Sequence, residues 1–242
     1  VRRPIMDESD KDNELAFMKS GQVLIAMLNP LIRRADCEVY AEAGIDAFAM
    51  ELMPRITRAQ SMDVLSSQAN LAGYKSVLDA TEEFGRALPM MMTAAGTITP
   101  AKVFVMGAGV AGLQAIATAL RLGAVVSATD VRPATKEQVE SLGAKFIMVD
   151  DEESTQAETE TGYAKQMSGE YQKKQAALIS ETISKQDIVI CTALIPGQAA
   201  PVLVDETMVA SMKPGSVIVD LAVENGGNCA LSEMGTVKDV KG

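Results

Sequence analysis

From Lys102 onward, short apolar runs alternate with longer segments whose apolar residues recur at helical spacing, and the alternation persists to Leu221. The runs predict strands at Lys102 to Met106, Val125 to Thr129, Lys145 to Val149, Asp187 to Thr192 and Ser216 to Leu221. Helices are expected to run roughly from Val110, Thr135, Ala164 and Asp205. Strand and helix in strict alternation is the pattern of a parallel sheet with crossover helices, so this half reads as a doubly wound α/β domain. Ligands of such sheets sit outside the carboxyl ends of the strands. That rule singles out Gly107, Asp130, the loop after Val149, Ala193 to Pro201, and Asp220 to Asn228.

The first hundred residues have a different character. Apolar positions at helical spacing in Ala16 to Leu28, a short strand at Ile45 to Leu52 and a long helix from about Met62 to Leu88 predict part of a second α/β domain. The long helix would carry the chain between the two. The expected division is residues 1–88 for the partial first domain and linking helix, 89–230 for the nucleotide domain, and 231–242 for a return toward the first.

The turn after the first strand of the second domain carries specific chemistry. Gly107, Gly109 and Gly112 form GxGxxG between a predicted strand and a predicted helix. The first glycine makes the turn, the second lets a pyrophosphate approach the backbone, and the third lets helix and strand pack closely. The pyrophosphate would meet the free amides and positive dipole of a helix N-terminus that begins at Val110. Asp130 ends the next strand, where a carboxylate accepts hydrogen bonds from a ribose diol. The fold class is therefore a Rossmann-type doubly wound sheet. A carboxylate there favours NAD over NADP, although Arg132 is a second candidate that could serve a 2′-phosphate.

Composition narrows the functions further. The 242 residues can bury a sizeable core, and the net charge of −10 argues against a nucleic-acid surface, which needs clustered cations. No apolar run approaches the roughly 20 residues needed to cross a bilayer, so direct membrane insertion is not expected. Three widely spaced cysteines without CxxC read as buried, inert thiols in a reducing compartment, and no metal site is expected. The chain has no histidine, which removes the usual general base and the commonest zinc ligand together. The 15 methionines, including Met90 to Met92, read as core filling rather than a docking surface. The acidic segment Asp150 to Gly162 reads as a surface loop or a mobile flap that leaves a strand at its carboxyl end.

A second polar constellation lies in LMPRITRAQSMDVLSSQANLAGY, where Arg55, Gln60, Asp63 and Ser66 are close in sequence. Helix capping explains it in structural terms, with Ser61 or Thr57 as the cap and Asp63 in the first turn. The functional alternative is a cleft-facing cation, amide and carboxylate that orient a nicotinamide carboxamide.

PRITRAQSMDVLSSQANLAGY, MMMTAAG, GAGVAGLQAIATALRLGA, TDVRPATKEQVESLGAKF, GYAKQMS, TALIPGQAAPVLV and MKPGSVIVDLAVENGGNC together resemble the NAD(H)-binding peripheral domain of the proton-translocating nicotinamide nucleotide transhydrogenases. The similarity runs from about Gly44 to Cys229. Alanine dehydrogenase is a relative with the same two-domain plan. The resemblance implies that Arg55, Ile56, Thr57, Gln60 and Asp63 form a loop beside the nicotinamide, with Ser66 as a neighbouring contact. It implies that Gly107, Gly109, Val110 and Gly112 hold the pyrophosphate and that Asp130, Val131 and Arg132 meet the adenosine ribose. Gly162 and Tyr163 match a mobile loop that closes over nucleotide, and Leu203 follows a segment flanking the adenine.

The implied activity is hydride transfer between NAD(H) here and NADP(H) on a partner domain, coupled to proton translocation by a membrane domain. A homodimer, peripheral on a membrane complex at a bacterial cytoplasmic face or in a mitochondrial matrix, is implied as well. Hydride exchange between two nicotinamides needs alignment but no proton donor, which suits a chain without histidine. An amino or keto acid dehydrogenase and a non-catalytic NAD-binding module stay open as alternatives. The resemblance implies a family domain longer at both ends, which lowers the expected nucleotide affinity, and membrane and NADP(H)-binding domains beyond this sequence, so this chain alone is expected to bind NAD(H) but neither to pump protons nor to complete a transhydrogenation turnover.

Overall fold

The computed structural model describes residues 2–6, 13–54, 56–149, 168–195 and 197–240. It divides into two compact units, Val1–Gln68 and Ala69–Gly242.

The first unit is built on a β-α-β element. Strand β1 (Val23–Ala26) and β2 (Asp46–Ala49) pair in parallel through helix α1 (Arg34–Glu42). Ala26, Leu28, Tyr40 and Ile45 bury one side of the pair in a small core. The other side keeps Val23, Ile25 and Phe48 about 60% exposed. The helix expected over Ala16 to Leu28 does not form. A single 3-10 turn (Glu14–Phe17) stops before Gly21, whose φ of +80° is open to glycine but strained for other residues, and the chain restarts as β1. Val-Leu-Ile-Ala satisfies a two-residue period as well as a helical one, and pairing with β2 decides for the strand. Helix α2 (Val64–Glu83) begins in this unit and ends in the second.

The second unit opens with an antiparallel hairpin, β3 (Met91–Thr93) and β4 (Gly96–Ile98), where the sequence predicted no element. Met90, Met91, Met92 and Ile98 are 45–73% exposed, so these methionines are not core filling. Five parallel strands follow, namely β5 (Lys102–Met106), β6 (Val125–Thr129), β7 (Lys145–Phe146), β8 (Ile188–Cys191) and β9 (Val217–Asp220). Their order in the sheet is β7-β6-β5-β8-β9. The edge strand β7 is three residues shorter than predicted, because only Lys145 and Phe146 find partners on β6.

Side-chain alternation along the central strands makes the sheet the middle layer of three. Val103, Val105, Ile188 and Ile190 share one core with Val77, Ala80 and Phe84 from α2 and its C-terminal extension, with Ala115, Ile116 and Ala119 of α3 (Val110–Arg121), and with Val139 of α4 (Thr135–Ser141). Phe104, Met106, Val189 and Cys191 face the opposite way, onto Ile179 and Ile183 of α5 (Gly169–Ile183) and Met208 of α6 (Glu206–Ala210). Burial on both sides explains why β5 and β8 read as continuous apolar runs. Helix α2 meets the first turn of α3 at backbone distance, since a Cβ on Gly73 would fall 2.1 Å from the Ala111 carbonyl oxygen.

Candidate functional site

The strand order reverses between β5 and β8, which leave the sheet centre toward opposite edges. Doubly wound sheets open a ligand crevice at the carboxyl ends of such a pair. Gly107 follows β5 directly, and Thr192 follows β8. Gly107 sits at φ +99°, where a Cβ would lie 2.6 Å from the Thr192 hydroxyl oxygen, so both conformation and space demand glycine. Gly112 is equally constrained, because its Cβ would stand 1.8 Å from the Gly107 carbonyl oxygen.

Gly109 differs from both. A Cβ there meets nothing within 4 Å, and the φ of −78° is ordinary. No steric demand of the protein explains the residue, whereas close approach of a ligand to this backbone does. Gly109 is also the N-cap of α3 and offers no side-chain acceptor to the first-turn amides. Val110, the first helical residue, is 42% exposed. The helix thus presents open N–H groups and its positive dipole end at the crevice, a fit for a pyrophosphate.

Asp130 stands one residue beyond β6, with its side chain 6% exposed. Its Oδ2 accepts from the Ala108 amide at 2.7 Å, which ties the glycine turn to the neighbouring strand end. The Arg132 guanidinium, which the sequence left as a rival candidate, lies on the same carboxylate: Nε donates to Oδ1 at 2.9 Å and Nη2 to Oδ2 at 2.8 Å. The Arg132 amide donates to Oδ1 at 2.9 Å. Val131 and Val149 each pack against the buried Tyr171 of α5. Leu203 is half-buried against the second core, and its amide donates to the Asn228 carbonyl at 2.8 Å.

The sequence named the Asp220 to Asn228 segment without a role for either end residue, and both organise the crevice. Asn228 is fully buried; its Oδ1 accepts from the Ala193 amide at 2.9 Å, and its Nδ2 donates to the carbonyls of Ala193 at 2.9 Å and Pro201 at 2.8 Å. Asp220 Oδ2 accepts from the amides of Asn228 at 2.7 Å and Cys229 at 3.0 Å. A Gly-Gly-Asn string after an aspartate-ended strand was the available signal, since two consecutive positive-φ glycines let the chain fold back onto that carboxylate. Cys191, in the same core, is fully buried, and burial beside Asp220 pushes its thiol well above the usual range. Cys191 and Cys229 are buried as the sequence suggested, whereas Cys37 is only partly buried.

In the first unit, Thr57 and Gln60 lie in a 3-10 helix (Thr57–Met62) with Ile56 as its N-cap, and all three are exposed. The helix-capping explanation is right in kind and wrong in residue: Asp63, not Ser61 or Thr57, caps α2. Its Oδ1 accepts from the Ser66 amide at 2.9 Å and its Oδ2 from the Ser66 hydroxyl at 2.6 Å. The Ser66 hydroxyl is thereby committed. Arg55, Gly162 and Tyr163 lie outside the described residues, as does the acidic segment of residues 150–162. Among the described residues no helix is long and apolar enough to cross a membrane.

Comparison with known proteins matches these features to one family. The N-terminal domain of the alanine dehydrogenase/PNT family matches residues 3–72 and its C-terminal domain residues 76–241. The chain is 63% identical over 237 residues to an NAD(P) transhydrogenase subunit alpha polypeptide of Rhodospirillum rubrum, covering 98% of this chain and 62% of that protein. It is 28% identical over 231 residues to alanine dehydrogenase of Mycolicibacterium smegmatis, covering 94% of this chain and 54% of the relative. Among solved structures, a transhydrogenase from Sinorhizobium meliloti superposes with a TM-score of 0.84 at 62% identity, over 99% of this chain and 62% of the other. The chain spans between 44% and 62% of the length of the transhydrogenase relatives it matches.

Proposed function

The chain belongs to the alanine dehydrogenase/PNT family, and we propose that it is the NAD(H)-binding component of a proton-translocating transhydrogenase. The observation that carries this reading is the set of residues at the carboxyl ends of β5 and its neighbours at the switch point. There the sterically unconstrained Gly109, the open amides of α3 and the Asp130 carboxylate stand in the order in which a pyrophosphate and a ribose would need them.

Bound NAD(H) supplies the hydride through its nicotinamide ring. The chain's own part is to bind and to orient. The first-turn amides of α3 take the pyrophosphate, Asp130, Val131 and Arg132 hold the adenosine ribose, and Leu203 follows the loop beside the adenine. Arg55, Ile56, Thr57, Gln60 and Asp63, with Ser66, meet the nicotinamide, and Gly162 and Tyr163 close over the nucleotide. Hydride would pass from the reduced coenzyme of one domain to the oxidised coenzyme of the other, NAD(H) here and NADP(H) on a partner domain, and this chain's residues would supply close alignment rather than a proton donor. A chain without histidine suffices for that. Proton translocation belongs to the membrane domain of the full assembly, on which this chain is peripheral. A homodimer fits the exposed methionine hairpin at Met91 to Ile98, an apolar surface of adaptable side chains. The nucleotide domain is proposed to span residues 89–230, preceded by the partial first domain and linking helix (1–88) and followed by the return segment (231–242).

The test mixes the chain with NADH, an oxidised NADP analogue and a purified NADP(H)-binding domain of a transhydrogenase, and follows hydride exchange. Exchange that requires both proteins and slows at least tenfold in Gln60→Asn with little change in NADH affinity supports the assignment, because alignment governs such a step. Pyruvate- and ammonia-dependent oxidation of NADH would move the chain to the amino acid dehydrogenases. NADH binding with neither reaction would leave a binding module.

A further inference from the structure

A fourth glycine, outside the GxGxxG motif, touches the turn that the motif builds. Gly73 is buried in the middle of α2 with helical backbone, so its conformation does not call for glycine. Glycine there weakens the helix relative to alanine. Space accounts for it instead: a Cβ would fall 2.1 Å from the Ala111 carbonyl oxygen, 2.8 Å from its carbonyl carbon and 3.0 Å from its Cα. All three neighbours are backbone, which no side-chain rotation can move aside.

That backbone is the first turn of α3. The Ala111 carbonyl and the Gly112 amide belong to one planar peptide group, and the amide is among the first-turn donors that follow β5. The same peptide is confined by a second backbone contact, since a Cβ on Gly112 would stand 1.8 Å from the Gly107 carbonyl oxygen. Gly107 is itself held by the Thr192 hydroxyl at 2.9 Å. One turn farther along, Val77 and Ala80 of α2 share a core with Ala115, Ile116 and Ala119 of α3. Helix α2 therefore cannot back away from an added methyl without opening that core, and the displacement falls on the first turn of α3.

We propose that Gly73 is a positioning residue for the pyrophosphate: by bringing bare backbone against Ala111, α2 sets the direction of the Gly112 amide and of the turn that carries it. The inference rests on the NAD(H) reading above and deepens it, because it assigns part of the pyrophosphate geometry to a helix outside the glycine motif.

Titration calorimetry with ADP and adenosine tests the proposal, with thermal melts to verify folding. The two ligands differ only in the phosphates, so the ratio of the adenosine to the ADP dissociation constant reads the phosphate contacts. Gly73→Ala is expected to lower that ratio by about tenfold, the scale of one misdirected hydrogen bond to a charged group. Leu71→Gly, on the exposed side of the same helix, should lower the melting temperature and leave the ratio unchanged. An unchanged ratio in a folded Gly73→Ala chain, or an equal fall in Leu71→Gly, overturns the positioning role and leaves the NAD(H) reading intact. If Gly73→Ala does not fold, hydrogen exchange on the wild type decides. At equal saturation, ADP should slow the amides around Gly73 by about threefold or more beyond adenosine. Slowing confined to α3 overturns the role. A wild type that binds neither NADH nor ADP overturns the NAD(H) reading and the positioning role with it.

Discussion

The hydroxyl of Thr192 donates to the carbonyl of Gly107 at 2.9 Å and joins the residues that directly follow the two strands on either side of the switch point. The bond holds the glycine turn against the end of β8, where the Thr192 amide also donates to the Met106 carbonyl at 2.8 Å. Thr192→Val keeps the shape and removes the donor. It should cost about 1 kcal/mol of stability, the net worth of one such bond, seen as a lower urea midpoint at unchanged m-value. The looser turn should also weaken NADH by about threefold to tenfold in calorimetry. Unchanged NADH affinity would mean that the turn keeps its geometry without this tie.

The glycines of the turn separate packing from binding. Gly112→Ala drives a Cβ to 1.8 Å from the Gly107 carbonyl, so it should destabilise the unit by about 1–3 kcal/mol, as overpacking does. Gly109→Ala meets nothing in the protein and should leave the thermal midpoint within a few degrees, while NADH affinity falls by an order of magnitude or more. Full NADH binding by a folded Gly109→Ala chain would remove the pyrophosphate from this turn.

Much of this site was legible because its residues answer to local rules. GxGxxG between an apolar strand and a helix has few structural solutions, and Gly107 and Gly112 are glycines for reasons internal to the turn. The central strands were equally plain, since burial on both faces leaves an unbroken apolar run in Val103 to Met106 and Ile188 to Cys191. Residues whose role depends on distant partners were not legible. Asn228 staples Ala193 and Pro201 across 35 and 27 residues, and nothing near it in sequence announces those partners. The grip of Arg132 on Asp130 is local, yet the spacing alone could not tell an ion pair from two competing receptors. Met90 to Met92 read as filling because methionine is apolar, whereas the hairpin carries them outward. Val23 to Ala26 is too short for periodicity to separate strand from helix, and pairing with Asp46 to Ala49 decided it.

Asp63 offers a test of the first unit by itself. Its carboxylate caps α2 through the amide and hydroxyl of Ser66, so Asp63→Ala should lose about 1 kcal/mol and Asp63→Asn roughly half as much or less, because asparagine also caps. Circular dichroism melts measure both. If Asp63 also orients the nicotinamide, Asp63→Asn will slow hydride exchange more than its small loss of stability explains. Equal stability in Asp63→Ala and the wild type would show that the cap contributes little to the helix.

Asp187, at the far end of the sheet, is expected to contribute to the acid limit of the second unit. Its carboxylate, 6% exposed, accepts from the Lys102 amide at 2.8 Å, from Arg86 at 2.8 Å and from Lys213 at 2.9 Å. Burial alone would raise its pKa, but the Lys102 amide, the Lys213 ammonium and the Arg86 guanidinium together bring it below the usual carboxylate value. A carboxyl that binds its proton more weakly in the folded chain than in the unfolded one stabilises the fold at pH values above about 4, the unfolded value. That stabilisation fades as the pH falls through the lower folded value. Asp187→Asn should therefore lower the urea midpoint at pH 7, by about 1–3 kcal/mol of stability, and flatten the decline of stability below pH about 4. NADH affinity should be unchanged at pH 7, because Lys102 opens β5 whereas the glycine turn follows its other end. An acid limb as steep in Asp187→Asn as in the wild type would assign the pH dependence to other carboxylates.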